Sequence, residues 1–358
     1  MKQTYFTPGP AELYPTIYQH LQTAMDEQLG SISHRSQKFR DIYKFTDEQL
    51  RTLLNVPETH GIFFTGSASE VWERILFNCV EHESFHLVNG SFSKKFYDYA
   101  NALHKYAHVF EKPFGEGFDA NEIEVPEYAE LICLTHNETS SGVQTRTQDI
   151  HKIKRKYAKK LVVVDMVSSA PYPDLDYGLV DSAFFSVQKA FGMPAGLGVW
   201  IASQTCLEKA ERLQKYDSMT VGAHHTLPTL WSHYKTFETP ATPNVLFIYL
   251  LGKIAEDLNK IGIDTIRKQT EEKARMLYKF LDDSADYTPF VQQERHRSQT
   301  VIVANTQKPS ADVISNAKQA GMVVGTGYGK FKDSQIRIAN FPATSFDQVE
   351  ALIKQLSK

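Results

Sequence analysis

Cysteine is scarce in this chain: there are three in 358 residues, Cys79, Cys133 and Cys206, and no two are close enough to make a CxxC pair. That excludes a disulfide scaffold and a zinc ribbon, and an odd, scattered count suits reduced thiols in a cytoplasmic protein. A bulk charge of either sign is missing too. The formal net charge is -3, which gives no electrostatic reason to bind nucleic acid or an anionic membrane. The apolar runs, of which 245–251 is one of the longest, fall far short of the roughly 20 residues a membrane span needs. The opening MKQTYFTPGPAELYP puts polar residues and prolines where a signal peptide needs an apolar stretch. No GxxxxGK[ST] string occurs, and the spacing of Gly325, Gly327 and Gly329 does not match GxGxxG. His82 to His86 spell HExxH, but His86 falls in a strand-like run, FHLVN. The zinc-protease string needs both imidazoles on one helix face, so no metal is expected from it.

What is present is an ordinary globular composition, 42% hydrophobic and 23% charged, in a chain too long for one hydrophobic core. Short apolar runs recur at 61–65, 85–89, 107–111, 131–135, 161–165, 182–187 and 197–202. Each is near-continuous and rich in β-branched or aromatic residues, as in strands buried on both faces. Stretches of helical spacing such as 69–79 and 149–159 lie between most of them. The alternation predicts an α/β domain on a mostly parallel seven-stranded sheet. The Pro-rich ETPATPN at 238–244 marks a change of texture. Beyond it the pattern predicts helices at 244–260 and 264–283, a strand at 300–305, a helix at 311–320, strands at 322–324 and 335–339, and a last helix at 346–356. The expected division is an N-terminal arm, 1–15, packing with the small domain; a large domain, 16–243; and a smaller α+β C-terminal domain, 244–358.

In open α/β sheets ligands collect beyond the carboxyl ends of the strands. The residues just after the predicted strands are Gly66 to Ser69, Asn89 to Phe92, His136 to Thr139, Asp165, and Ser186 to Lys189. Ser67, Ala68 and Ser69 lead from a strand into a helix, which suits either a Ser N-cap or an anion cradle at the helix N-terminus. Asp165 ends the apolar run LVVVD, and a carboxylate there needs a cation, such as a protonated pyridine nitrogen, or else serves only as a loop aspartate. Lys189 follows another apolar strand and precedes a Gly/Pro loop; burial would lower its pKa and make the amine nucleophilic. It stands 24 residues after Asp165, one helix-sized crossover away. Phe92 could stack on a flat ring or simply fill core. Arg337, in the alternating run QIRIANF, could clamp a carboxylate or sit exposed on its strand.

With these residues in place the chain resembles the class V aminotransferases of pyridoxal-phosphate (PLP) fold type I, and among them most closely the phosphoserine aminotransferases. The resemblance runs through FTPGPAELYP, SHRSQKF, TGSASE, NGSFSKKF, HNETSSGVQ, VVDMVSSAP, SVQKAFGMPAG, TPATP and IRIANFP, in this order, over nearly the whole chain. It implies that Lys189 carries PLP as a Schiff base and that Asp165 holds the pyridinium. Ser67, Ala68, Ser69 and Gln188 would bind the cofactor phosphate, with Thr239 reaching in from the partner of a homodimer. Phe92 would stack on the ring, where the phosphoserine enzymes usually have Trp, and Thr139 would contact the ring oxygen or its neighbour. On the substrate side it implies Gly9, Arg337 for the α-carboxylate, and His34 with Arg35 for a substrate phosphate across the dimer interface. The second His-Arg pair of the phosphoserine enzymes is replaced by Lys330 and Phe331, and Glu238 stands where they often have Asn. The activity implied is transfer of an amino group between glutamate and a 2-oxo acid, by resemblance 3-phosphohydroxypyruvate. The alternatives are an alanine–glyoxylate or serine–pyruvate aminotransferase of the same class, a PLP lyase, and a non-enzymatic binding protein. The lyase would need a Cys on a C-terminal loop, and none follows Cys206; the binding protein would be expected to lose Lys189 or Asp165.

Overall fold

In the computed structural model, which describes residues 3–216 and 219–358, fourteen strands alternate with eleven α-helices among the described residues. The strands are β1 (Thr4–Phe6), β2 (His60–Thr65), β3 (Glu83–Val88), β4 (Tyr106–Glu111), β5 (Leu131–Thr135), β6 (Asn137–Glu138), β7 (Val143–Gln144), β8 (Leu161–Asp165), β9 (Ser182–Ser186), β10 (Gly198–Ser203), β11 (Tyr287–Pro289), β12 (Val301–Thr306), β13 (Met322–Thr326) and β14 (Gln335–Ala339). The helices are α1 (Ile17–Asp26), α2 (Gln37–Leu54), α3 (Ala68–Cys79), α4 (Ser91–Ala102), α5 (Thr147–Lys156), α6 (Gln204–Tyr216), α7 (Leu227–Tyr234), α8 (Val245–Ile261), α9 (Ile263–Asp283), α10 (Ser310–Gln319) and α11 (Phe346–Leu356). Part of the predicted arm, residues 1 and 2, lies outside the described residues.

The seven-stranded sheet has the order β2-β10-β9-β8-β5-β3-β4. Its strands are parallel except β10, which runs antiparallel to both neighbours. Alternation along each strand builds two cores at once. Ile62, Phe64, Val162, Val164, Phe185 and Ile201 face one layer of helices, which includes α2, α5 and α8. Phe63, Leu161, Val163, Phe184 and Trp200 face the other, built on α3, α4, α6 and α7. This is why the runs read as continuously apolar: β2, β8, β9 and β10 are buried at every residue. At the sheet edge β4 has only exposed and half-buried positions.

The first two helices lie in a region with no predicted element. α2 carries its buried residues at helical spacing, Phe39, Ile42, Tyr43, Thr46, Leu50, Leu53 and Leu54, and Ser36 caps it by accepting from Phe39 N at 3.2 Å. It packs against α8, whose Leu250, Leu251, Ile254, Ala255 and Leu258 belong to the same core. A second sheet, in the order β1-β13-β14-β12-β11, forms a separate core with α9, α10 and α11. The N-terminal β1 enters it by pairing in parallel with β13. Val301, Val303, Ala339 and Phe341 pack against Ala190, beside Lys189, so this sheet closes over the end of β9.

Candidate active site

A cavity of about 360 Å³ opens where the carboxyl ends of β2, β5, β8 and β9 meet the second sheet. A larger cavity, about 800 Å³, lies along the N-terminal arm, with Gly9 and Pro10 as the wall common to both. We assign the chemistry to the smaller one, because it holds the convergent ionisable groups.

Lys189 follows β9 and is only 7% exposed. Its Nζ donates to Thr139 Oγ1 at 3.0 Å and lies 5.3 Å from the centre of the Phe92 ring. Burial pushes its ammonium group down to about 8, opposed by the Asp165 carboxylate and assisted by the Arg337 guanidinium. Asp165 is the last residue of β8. Its Oδ1 accepts from Val167 N at 2.9 Å and its Oδ2 from the Trp72 indole Nε1 at 3.1 Å. Burial pushes its carboxyl up to about 6, against those two donors and the charge of Lys189. A carboxylate held by two neutral donors in so dry a place suits a bound cation. Gly9 touches Lys189 closely: with φ +135°, a Cβ there would stand 2.9 Å from Lys189 Cε.

The turn from β2 into α3 brings Ser67, Ala68 and Ser69 to the cavity. Ser67 caps α3 by accepting from Glu70 N at 3.4 Å, and Ala68 N donates to Ser186 Oγ at 2.9 Å. β10 lies directly behind this turn, where a Cβ on Gly198 would come within 2.4 Å of the Ser67 carbonyl carbon. A small, backbone-rich turn at the start of a 12-residue helix is suited to an anion such as a phosphate. Phe92 stands in the first turn of α4, which the buried Glu138 anchors by accepting from Phe92 N at 3.1 Å and Ser93 N at 2.8 Å. Arg337 sits on β14 between Ile336 and Ile338, which point into the core of the second sheet, so its own side chain points the other way. Its Nη1 donates to Thr139 O at 3.2 Å and its Nε to Thr326 O at 2.7 Å. Thr139 therefore touches both the amine and the guanidinium.

The structure thus gathers Lys189, Asp165, Ser67, Ala68, Ser69, Phe92, Thr139, Gln188, Gly9 and Arg337 around one cavity. His34, Arg35, Thr239 and Lys330 do not line it. Arg35 instead donates to Glu238 Oε2 at 3.0 Å and to Thr239 O at 2.9 Å, and Arg40 also pairs with Glu238. Lys330 is exposed, its Nζ 5.2 Å from the Phe331 ring. Among the other lining residues, Trp72, Asn137 and Tyr328 had been given no role from the sequence. Trp72 stands four residues after Ala68, and that helical spacing places both on one face of α3. Asn137 is buried with Oδ1 unpartnered. Tyr328 comes from the glycine-spaced loop after β13; its ring lies 5.4 Å from Phe92 and 5.3 Å from the Arg337 guanidinium.

These groups fit PLP: a buried acid without a full cationic partner at Asp165, an orphaned acceptor at Asn137, a small-residue cradle at 66–69 and a dry lysine between them. The class-V aminotransferase profile matches residues 116–332. A crystal structure of a phosphoserine aminotransferase from Cytophaga hutchinsonii is 48% identical and covers 99% of this chain and 98% of its own, with a TM-score of 0.97. The phosphoserine aminotransferase of Rhodococcus opacus is 27% identical over 354 residues, 97% of this chain and 92% of that protein. An alanine–glyoxylate aminotransferase from Nostoc shares the fold at 19% identity, covering 99% of this chain and 94% of its own with a TM-score of 0.86. The chain belongs to the class-V aminotransferase family and is a PLP-dependent transaminase.

Proposed function

We propose that this protein moves an amino group between glutamate and 3-phosphohydroxypyruvate, making or consuming phosphoserine. The observation that carries the reading is the meeting of the buried Lys189 amine and the Arg337 guanidinium on the two sides of Thr139, in a chain 48% identical to a phosphoserine aminotransferase. PLP, when bound, supplies the electron sink that makes an α-proton removable. The chain's own groups do the rest. Lys189, with its ammonium lowered to about 8, is the group that holds the cofactor and moves the proton at the substrate α-carbon. Asp165 would keep the ring nitrogen protonated, and Ser67, Ala68, Ser69 and Gln188 would hold the cofactor phosphate. Phe92 would stack on the cofactor ring, and Thr139 fixes the direction of the amine. Arg337 takes the α-carboxylate in bidentate fashion, and Gly9 and Tyr328 close the cavity over the substrate.

The assembly we infer is a homodimer in which Thr239, His34 and Arg35 serve the partner's cavity, because in one chain they lie off it. Arg35 and His34 then read the substrate phosphate, with the exposed Lys330 as a further cation for it. Among the described residues no helix is long and apolar enough to cross a membrane. The three cysteines are free and buried, which accords with a cytoplasmic setting.

Half-reactions test the reading. The cofactor-loaded protein is mixed in turn with phosphoserine, serine, alanine and glutamate, and the visible band of bound PLP is followed. Phosphoserine and glutamate should bleach it. Bleaching by alanine but not by phosphoserine would move the protein to the alanine–glyoxylate branch. Lys189→Ala should lack the lysine-linked band from the start.

A further inference from the structure

The first turn of α3 carries a side-chain cluster that transamination does not use. Glu70, His224 and His225 present a carboxylate oxygen and two imidazole nitrogens, all within 4.8 Å of one another. His224 and His225 are consecutive, and successive side chains of an extended chain point to opposite sides. Here they share one side. His225 has a left-handed backbone, φ +50°, and the two rings stack with centroids 3.8 Å apart. Histidine tolerates this region better than most residues, yet it remains an uncommon conformation.

The surrounding bonds hold the three groups in place. Glu70 Oε2 accepts from Gly66 N at 2.9 Å, which turns Oε1 toward His225 Nδ1 at 2.5 Å. Arg74 Nη1 donates to His224 O at 2.7 Å and so ties the loop to α3. The Arg74 charge is met by Glu73, with which it forms an ion pair.

We propose that Glu70, His224 and His225 form a binding site for one zinc-class divalent cation at the N-terminal end of α3. Two imidazoles and one carboxylate with open positions for water are a donor set for Zn²⁺ and its neighbours, whereas Mg²⁺ and Ca²⁺ prefer all-oxygen sites. The cation would pin the segment before α7 to the helix whose first turn lines the cofactor cavity. The site does not depend on which 2-oxo acid the enzyme uses.

The test takes the cofactor-loaded protein, strips it with a chelator, and titrates Zn²⁺ by calorimetry, with bound zinc counted by atomic emission after dialysis. One Zn²⁺ per chain is expected. His224→Ala, a change at an exposed position, should weaken binding by more than the ~10–100-fold typical of losing a group behind a ligand, with the visible cofactor band unchanged as the sign of an intact fold. No stoichiometric zinc, or equal affinity in H224A, would overturn the proposal. Mg²⁺ binding as tightly as Zn²⁺ would overturn the class of cation.

Discussion

Lys189 and Asp165 show how burial turns two common side chains into reagents. The lysine loses its bulk-water ammonium stability and comes down to about 8, while the aspartate rises to about 6. The aspartate shift has a measurable consequence for the cofactor-free protein. Its folded value lies above the unfolded 3.8, so between those two pH values the native state binds more protons than the unfolded one. Stability from this group is therefore full below pH ~4 and is lost as pH rises through ~6, by up to about 3 kcal/mol for a shift of roughly two units. Asp165→Asn removes the loss. Urea unfolding of cofactor-free protein should show the variant gaining on the parent from pH 4 to 6 and holding a constant lead above it. A flat difference across that range would mean that Asp165 is already paired. With cofactor bound the order should reverse, since Asn cannot counter a pyridinium. Lys189 was legible less from its place after an apolar strand than from its pairing with Asp165, 24 residues earlier at the end of another strand. Tyr328 was not, because nothing in a glycine-spaced loop says which cavity its ring will enter.

Elements deliver these residues by their ends. The inner sheet strands are continuous apolar runs because both faces are covered, and β2, β5, β8 and β9 stop where the cavity begins. That two-sided burial made most strands readable, with LVVVD at β8 coinciding to the residue. α1 and α2 escaped notice because their apolar positions are diluted by polar and charged residues and show only as a periodic face. The close packing of β10 behind the α3 turn yields a second prediction. Gly198→Ala would set a methyl group 2.7 Å from Ala68 N, and backbone on both sides cannot give way cheaply. The cradle must shift, so cofactor affinity should fall at least tenfold, or about 1.4 kcal/mol, read by fluorescence titration of the cofactor-free variant. A variant that melts lower yet binds PLP as tightly as the parent would contradict this role for the turn.

At the scale of the whole molecule the site is a junction. The large sheet contributes Lys189, Asp165 and Thr139; the second sheet contributes Arg337 and the loop bearing Tyr328; the N-terminal arm contributes Gly9. Arg35 and Thr239 belong to a separate cluster held by Glu238. If they serve the partner's cavity, two dead variants can repair each other. Lys189→Ala and Arg35→Ala, each close to inactive with phosphoserine, should regain activity when mixed subunits are allowed to exchange. In a random mixture of dimers about one site in four then draws both residues from unmutated positions. No recovery after verified exchange would place Arg35 in the service of its own chain.

The sequence alone determined the layered architecture and the positions of the lysine and the acid. Hydrophobic periodicity and strand ends are local properties of a chain, and short motifs carry their own order. It could name Arg337 but not aim it, and it could name Lys330 without saying that it stays outside the cavity. Those outcomes, with Trp72 under Asp165 and the histidine pair beside Glu70, were decided only in three dimensions. They depend on how two sheets and an arm pack, and packing joins residues whose separation along the chain holds no record of the contact.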